Sequence, residues 1–346
     1  MRAAYAVKLG GERPLENLEI GERPTPTPGP GEALVRVRAV SLNHHDLWTL
    51  RGVAGVPIEP PRILGCEAAG VVESYGPNRP EGTPEPGSAV VLYPVVTCGH
   101  CEACLGPDPS LCREWGMLSD KVDGTLADYV VLPAVNVLPK PAHLSDAEAA
   151  CLGTAFLTGY RMLFTRARLR PGDSVLIPGA GGGLATALIQ MGKAAGLRVF
   201  VTSRDEAKRQ AALHIGADHA LETGRGSARR VLELTGGRGV DAVMESVGEP
   251  TWGESLRSLR PGGTVVVAGA TGGPNPPADL ARVFWRQLNI LGASMGTRDD
   301  MLAMLRLVET AQIHPVIDAR FPFERTREAL ARLEAGLQMG KIVVEL

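Results

Sequence analysis

The sequence lacks a long apolar run, and it lacks an excess of charge of either sign. Its 346 residues have a formal net charge of −2, which gives no overall basic surface for nucleic acid and no polyacidic tail. No apolar stretch approaches the length of a membrane span, and residues 1–20 lack the apolar stretch of a secretory signal. We therefore expect a cytoplasmic, two-domain protein that binds neither nucleic acid nor membrane.

Cysteine is scarce except in one loop, residues 97–113. Four of the six cysteines lie within 15 residues, spaced C-x-x-C-x-x-C and then seven residues and C: Cys98, Cys101, Cys104 and Cys112. Four thiolates this close can surround one Zn²⁺ tetrahedrally, and such a site leaves no position for a substrate. Disulfides are disfavoured in the reducing cytoplasm, and iron–sulfur ligands usually have other spacings. The loop therefore predicts a structural zinc site.

The chain changes character near residue 150. Residues 1–150 contain short strand patterns between Gly and Pro turns, which predicts a β-rich barrel or sandwich. Ser145 and Glu148 have the spacing of a helix capping box. Over residues 151–295 apolar strands alternate with amphipathic helices, which predicts an α/β domain with a doubly wound parallel sheet. Residues 296–346 hold a helix and a strand that we expect to return to the first domain.

A glycine-rich turn, GAGGGLA at residues 179–185, joins the first strand of the α/β domain to a helix. Without side chains, this backbone can approach a pyrophosphate closely. The following helix N-terminus offers N–H groups and the positive end of its dipole. The strand–turn–helix context is the one that a dinucleotide fingerprint requires. We therefore predict that Gly182, Gly183 and Leu184 contact a nicotinamide dinucleotide.

The next strand ends at Ser203, where NAD-specific sites usually place an acidic residue on the ribose. Ser203 carries no charge to repel a 2′-phosphate, and Arg204 and Lys208 follow closely to bind one. The sequence therefore favours NADP(H), although the neighbouring Asp205 leaves NAD(H) open.

Segments spread over nearly the whole chain resemble those of one known family: GEALVRVRAVSLNHHDL, ILGCEAAGVVESYG, the four-Cys loop, LTGYRML, GAGGGLA, RPGGTVVVAG and GKIVVEL. The chain resembles the medium-chain dehydrogenase/reductase superfamily, in its zinc-type alcohol dehydrogenase branch, with similarity to quinone reductases. The resemblance implies a GroES-like β-barrel domain and a Rossmann domain. It also implies a homodimer or homotetramer that acts on a small-molecule substrate.

The resemblance implies a catalytic zinc, and here the chain departs from the family. Alcohol dehydrogenases of the family hold that ion with Cys, His and Cys, whereas this chain has Asn43, Cys66 and Thr154 at those positions. Asn and Thr are poor zinc ligands. Either no catalytic metal binds, and Asn43, His45 or Thr154 polarises the substrate oxygen by a hydrogen bond. Or a substitute zinc site forms from His45, Cys66 and Glu67.

Further roles follow from position in the family. Asp46 stands where a carboxylate orients a metal ligand, and His44 stands beside the cofactor phosphates. Either His44 or His45 is suited to relay protons near neutral pH. Additional cofactor contacts are implied for a set of small or hydroxyl-bearing residues: Thr158, Ser246, Gly248, Gly269 and Thr271. Lys341 is predicted to be an ordinary surface residue.

Three functions remain open at this point. The leading hypothesis is an NAD(P)-dependent, alcohol dehydrogenase-like oxidoreductase that moves hydride between nicotinamide and a small alcohol or carbonyl compound. The alternative is a metal-free NADPH-dependent quinone or enone reductase. The third is a nucleotide-binding protein that keeps the fold and the structural zinc but no longer catalyses. Turnover of NADPH separates the enzymes from the third hypothesis, and zinc content separates the first two.

Overall fold

The computed structural model describes residues 1–52 and 58–346 of the chain. The chain divides into two compact units with these segments: residues 1–154, 297–301 and 317–346 in the first, and residues 155–296 and 302–316 in the second. The C-terminal strand thus belongs to the first unit. Among the described residues, no helix combines the length and apolar character needed to cross a membrane.

The strands are short, as expected from the frequent Gly and Pro turns. Their bounds are β1 (Arg2–Ala6), β2 (Leu18–Glu22), β3 (Glu32–Ser41), β4 (Arg62–Ile63), β5 (Ala68–Tyr75), β6 (Ala89–Leu92), β7 (Val95–Val96), β8 (Gly116–Met117), β9 (Tyr129–Pro133), β10 (Val137–Pro139), β11 (Ser174–Pro178), β12 (Arg198–Ser203), β13 (His219–Glu222), β14 (Val240–Glu245), β15 (Leu259–Val267), β16 (Asn289–Gly292), β17 (Ile317–Pro322) and β18 (Lys341–Glu345).

The helices lie mainly in the second unit. Their bounds are α1 (His44–Arg51), α2 (Glu102–Leu105), α3 (Asp146–Ala149), α4 (Leu157–Tyr160), α5 (Gly183–Ala194), α6 (Glu206–His214), α7 (Ser227–Leu234), α8 (Glu249–Ser258), α9 (Leu280–Trp285), α10 (Arg298–Thr310) and α11 (Thr326–Glu334). Two π-helical segments flank α4, at Leu152–Phe156 and Arg161–Arg166. The predicted capping box begins α3: the Ser145 N–H donates to Glu148 at 2.9 Å, and the Glu148 N–H donates to Ser145 Oγ at 3.3 Å.

The first unit is built on a seven-stranded sheet in the order β10-β6-β5-β3-β18-β17, with β9 also paired to β3. In the long strand β3 the apolar Val35 and Val37 alternate with Arg36 and Arg38, and both valines are buried in one core. That core includes Val35, Val72, Leu92, Val130 and Val344, all at most 2 % exposed. The predicted β-rich, GroES-like domain is confirmed.

The second unit contains a six-stranded parallel sheet in the order β13-β12-β11-β14-β15-β16. Every residue of β11 and β14 is buried, as expected for central strands covered on both faces. This is the doubly wound order of dinucleotide-binding domains, and the order reverses between β11 and β14. The predicted Rossmann fold is confirmed, with the carboxyl ends of its strands at one edge of the sheet.

Candidate functional site

A polar cluster in the first unit occupies the positions at which the family holds its catalytic zinc. Asn43 precedes α1, Cys66 and Glu67 lie between β4 and β5, and Thr154 lies in the first π-helical segment. Asn43 Nδ2 donates to Glu67 Oε1 at 2.8 Å, and the Thr154 backbone N–H donates to Glu67 Oε2 at 2.6 Å. Cys66 Sγ lies 3.5 Å from both Asn43 Nδ2 and Thr154 Oγ1. The fold thus brings four of the predicted site residues together.

Lys341, the first residue of β18, completes this cluster, and its predicted surface position is wrong. The residue is 4 % exposed. Its ammonium donates to Leu42 O at 2.8 Å, Asn43 Oδ1 at 2.7 Å and Glu67 Oε1 at 2.9 Å, which uses all three hydrogens. Burial alone would lower the pKa of Lys341, but the charge of Glu67 raises it, so the lysine stays charged. The signal in the sequence was a lysine that opens the apolar strand KIVVEL.

The chemistry of this donor set does not suit a catalytic zinc. Both oxygens of Glu67 already accept hydrogen bonds, from Asn43, Lys341 and Thr154. Burial, followed by the charges of Asp46 and Glu67, raises the pKa of the Cys66 thiol well above its ordinary value. Asn43 and Thr154 stand in place of the two cysteine ligands of the family, and an amide and a hydroxyl are poor zinc ligands. The residues present at this position do not fit the ion.

The substitute metal set predicted from His45, Cys66 and Glu67 is not assembled. Among the described residues, the ligand atoms of these three do not form a group within 4.8 Å of one another. His45 Nε2 lies 4.0 Å from Asp120 Oδ2 instead. The metal set does not form because Asn43, the residue before α1, and not His45 points at Glu67.

Asp46 and His44 lie on the first turn of α1. Asp46 is fully buried and accepts hydrogen bonds from the backbone N–H groups of Asn43 at 2.8 Å and Gly65 at 2.9 Å. Asp46 therefore ties the start of α1 to the residue before Cys66. Desolvation of the imidazole, then the charges of Lys341 and Arg51, lowers the pKa of His44 and so favours its neutral form.

The four cysteines of the 97–113 loop converge as predicted. The Sγ atoms of Cys98 and Cys104 are 3.8 Å apart, those of Cys101 and Cys104 3.5 Å, and those of Cys98 and Cys112 3.6 Å. Four sulfurs at about 2.3 Å from one zinc lie roughly 3.8 Å from each other. All four Sγ atoms form one group within 4.8 Å. The loop therefore fits a tetrahedral zinc ion.

The glycine turn of the second unit leads from β11 into α5. Gly179 has φ of 83°, a conformation that disfavours side chains. Gly182 is the N-cap of α5 and is exposed, and a Cβ built there has no heavy atom within 4 Å. Gly183 and Leu184 form the first turn of this 12-residue helix and are half-buried. The open backbone and the helix N-terminus fit a diphosphate.

The residues predicted to select the cofactor lie at the end of β12 and the start of α6. Ser203 is buried, and its Oγ accepts the Asp205 N–H at 3.2 Å, while Arg204 is exposed. The Asp205 carboxylate accepts the backbone N–H of Lys208 at 3.3 Å and so caps α6. The Lys208 side chain lies across the glycine turn, since a Cβ on Gly181 would sit 3.0 Å from Lys208 Nζ.

The residues predicted to contact the cofactor after β14 and after β15 are hydrogen-bonded to one another. Ser246 O accepts the backbone N–H and the Oγ–H of Thr271, both at 3.2 Å. A Cβ on Gly248 would lie 2.2 Å from Gly273 O, so only glycine fits there. Gly269 is half-buried beside Ser246. The two loops therefore form one rigid surface at the carboxyl edge of the sheet.

Two further polar residues of the second unit are buried. Thr158 on α4, a predicted cofactor contact, is 8 % exposed and lies 3.6 Å from Met295 Sδ through its Oγ1. Glu245, at the end of β14, is fully buried and was missed from the sequence. The signal was a carboxylate that ends the otherwise apolar stretch AVME.

Comparison with known proteins gives matches along most of the chain. Residues 29–142 match the family described as the alcohol dehydrogenase GroES-like domain, and residues 183–310 match the family described as zinc-binding dehydrogenase. A zinc-type alcohol dehydrogenase-like protein of Schizosaccharomyces pombe is 32 % identical, over 96 % of this chain and 94 % of its own. A crotonyl-CoA reductase of Streptomyces collinus is 29 % identical, over 96 % of this chain and 82 % of its own.

A crystal structure of an NAD-dependent alcohol dehydrogenase superposes with a TM-score of 0.94 at 37 % identity, over the full length of both chains. The family matches cover both the GroES-like unit and the nucleotide-binding unit. Zinc and a nicotinamide dinucleotide are the cofactors of this family. The chain belongs to the medium-chain dehydrogenase/reductase superfamily, in the zinc-type alcohol dehydrogenase branch, and is an NAD(P)-dependent oxidoreductase.

Proposed function

We propose that the protein transfers a hydride from NADPH to a conjugated carbonyl compound without a catalytic zinc, and that its zinc ion is the structural one of the four-Cys loop. The observation that carries this proposal is the complete engagement of Glu67 by Asn43, Lys341 and Thr154. Hydride addition to the β-carbon of a conjugated carbonyl compound places negative charge on the carbonyl oxygen. A positioned hydrogen-bond donor can stabilise that charge without a metal.

Thr154 is the hydroxyl best placed to bind the substrate oxygen. The amide hydrogens of Asn43 already point to Ser41 O at 3.1 Å and to Glu67. Thr154 is half-buried, its backbone is fixed by Glu67, and its Oγ1 lies 3.5 Å from the protonated Cys66. In this proposal the Cys66 thiol donates to Thr154 Oγ1, which leaves the hydroxyl hydrogen for the substrate. A bound nicotinamide would supply the hydride, and water would supply the proton that the resulting enolate takes up at the carbon next to the carbonyl.

The end of β12 supports NADP(H) as the preferred cofactor. The carboxylate that follows Ser203 in the sequence, that of Asp205, is engaged in capping α6 and is poorly placed to accept a ribose hydroxyl. Arg204 is exposed at the strand end, and the Lys208 ammonium lies at the glycine turn. These two cations lie near the strand end, and the Asp205 carboxylate is already hydrogen-bonded in the helix cap. This arrangement favours a 2′-phosphate over a 2′-hydroxyl.

A second candidate is reversible exchange between a small alcohol and its carbonyl compound. The names of the S. pombe relative and of the NAD-dependent alcohol dehydrogenase structure favour this reaction, whereas the crotonyl-CoA reductase name favours conjugated substrates. A hydrogen bond from Thr154 would polarise a saturated carbonyl as well, although more weakly than a metal ion does.

We also propose that the protein is a homodimer in the cytoplasm, paired through the edge of the parallel sheet. Strand β16 is the outermost strand of that sheet, and an edge strand presents unpaired backbone groups. Ile290 on β16 is 44 % exposed, and the preceding α9 exposes Leu280, Phe284 and Trp285 at 71 %, 69 % and 80 %. A second copy of the chain would cover these side chains and pair with the strand.

The test is NADPH oxidation with a matched pair of substrates, 2-cyclohexenone and cyclohexanone. We expect turnover with the enone and little with the saturated ketone. The Thr154→Val variant should lose roughly a hundredfold in kcat because it lacks the oxygen-binding hydroxyl, while Thr154→Ser keeps most of the activity. Turnover of cyclohexanone alone would favour the second candidate. Cofactor binding without turnover across a wider panel of aldehydes and quinones would leave a nucleotide-binding protein.

A further inference from the structure

Glu245, the last residue of β14, is a fully buried carboxylate whose partners are all neutral. Its Oε1 accepts the backbone N–H groups of Val247 at 2.8 Å and Gly248 at 3.1 Å. Thr251 Oγ1 lies 2.9 Å from Oε1 and 3.0 Å from Oε2, and Ser255 Oγ donates to Oε2 at 2.6 Å. Within the described residues, no lysine, arginine or histidine forms an ion pair with this carboxylate.

Hydrogen-bond donors reach both oxygens of Glu245, but none of these donors carries a positive charge. A buried charge without a counter-ion normally costs stability, and an amide or apolar side chain of similar size would avoid that cost. The field of such a charge is also weakly screened, because the effective dielectric constant of a protein interior is about 20. The carboxylate of Glu245 therefore produces a negative electrostatic potential at the groups that surround it.

The loop that follows Glu245 lies at the carboxyl edge of the parallel sheet. Ser246 O accepts hydrogen bonds from Thr271 at the end of the neighbouring strand, and Val247 O accepts the Gly272 N–H at 2.7 Å. These two loops form the rigid surface described above. Sheets of this order bind dinucleotides across that edge. The buried carboxylate thus holds the backbone of a loop whose Ser246 and Gly248 are predicted to contact the cofactor.

We propose that the charge of Glu245 makes this site favour the oxidised nicotinamide over the reduced one and so biases the enzyme towards reduction of its substrate. The oxidised ring carries a positive charge and the reduced ring carries none, so a fixed negative potential discriminates between them. Stabilising the oxidised cofactor assists loss of the hydride. This inference rests on the proposed function, because it requires that the edge of the sheet binds a nicotinamide.

The experiment compares the Kd of NADP⁺ and NADPH by calorimetry for the zinc-loaded wild type and for Glu245→Gln. The glutamine carbonyl can still accept from Val247 and Gly248, and its amide can donate to the Thr251 and Ser255 hydroxyls. If the separation from the ring is on the order of 10 Å, Coulomb's law at an effective dielectric constant of about 20 predicts that NADP⁺ binds roughly five- to twentyfold more weakly relative to NADPH than in the wild type. The Ser255→Ala control keeps the charge and should preserve the ratio of the two Kd values within about twofold.

Equal weakening of both cofactor forms in Glu245→Gln would overturn the inference, because a role in holding the loop alone affects both forms alike. If the wild type binds neither form, the proposed function fails and not merely this inference. If Glu245→Gln does not fold, Ser246→Asp adds a second negative charge at a half-buried position of the same loop. That variant should tighten NADP⁺ relative to NADPH, and an unchanged ratio would overturn the inference.

Discussion

Lys341 is the residue on which the polar cluster of the first unit depends most. Within residues 1–52 and 58–346, its ammonium is the one positive charge that pairs with the fully buried Glu67, and it also donates to Asn43 Oδ1 and Leu42 O. A buried pair of this kind adds little stability over apolar packing. Removal of one partner is nevertheless costly, because the other charge is left buried and unpaired.

We therefore expect Lys341→Met to lower the free energy of unfolding by about 3–5 kcal/mol in urea denaturation at pH 7. Lys193→Met is the matched control. Lys193 is half-exposed and pairs with the partly exposed Asp218, so its loss should cost no more than about 1 kcal/mol. Similar losses in the two variants would show that the buried pair is not special.

Asp241 provides a test of pH dependence. Burial would raise its pKa, but hydrogen bonds from Arg238, Arg260 and Ser174 hold it well below the ordinary value. A depressed pKa contributes stability that is complete above the unfolded value of about 3.9 and is lost as the pH falls through the folded pKa.

Asp241→Asn should therefore lower the urea midpoint clearly at pH 7, and the difference from the wild type should shrink between about pH 4 and pH 2. Glu81→Gln removes an exposed acid in a turn and should leave the midpoint nearly unchanged at every pH. A difference between Asp241→Asn and the wild type that stays constant down to pH 2 would contradict this reading of the network.

At the scale of elements, the four-Cys loop is the one most dependent on a bound ion. It contains only α2, of four residues, and a short 3-10 turn, and among its cysteines only Cys112 is buried. Such a loop has too little apolar packing to hold its conformation alone, so the zinc must organise it.

Cys112→Ser should reduce the zinc content from about one ion per chain to nearly none and lower Tm, measured by elemental analysis and thermal denaturation. Cys151→Ser changes a buried cysteine outside the loop and should keep the zinc. Retention of a full equivalent of zinc in Cys112→Ser would mean that the ion is bound elsewhere.

The elements of the second unit were the easiest to predict, because each gives a strong local signal. The stretches SVLIP and VDAVME are continuously apolar or nearly so, and the glycine turn sits between a strand and a helix. Helices α7, α8 and α10 were not predicted, and neither were the weaker elements β13, α9 and β17. The residues of these last three are half-exposed or exposed, so their sequences lack the clear apolar periodicity of the central strands.

The candidate sites were predictable where the residues lie close in sequence and less so where the fold assembles them. The spacing of the four cysteines between residues 98 and 112 is enough by itself to predict a metal site. Glu67 and Lys341 are 274 positions apart by their numbers, so their contact needed the pairing of β18 with β3. The domain limits predicted at residues 150 and 295 stay predictions. The two compact units of the structure divide after Thr154 and after Gly296.

At the scale of the whole molecule, the exposed edge strand and its apolar neighbours predict self-association. Ile290→Asp places a charge on β16, and Trp285→Ser removes the most exposed large apolar side chain of α9. Either change should shift the protein from dimer to monomer in sedimentation velocity. Val7→Asp, at another exposed apolar position, should leave the dimer intact. A wild type that sediments as a monomer at all concentrations would contradict the proposed interface.

Our central proposal for the whole molecule is that the enzyme reduces a substrate with NADPH while it holds a single, structural zinc ion. The most direct measurement is elemental zinc content and NADPH-dependent turnover of 2-cyclohexenone on the same purified sample. We predict about one zinc per chain together with sustained turnover. Two zinc ions per chain, with activity lost when the second is removed, would contradict the central claim.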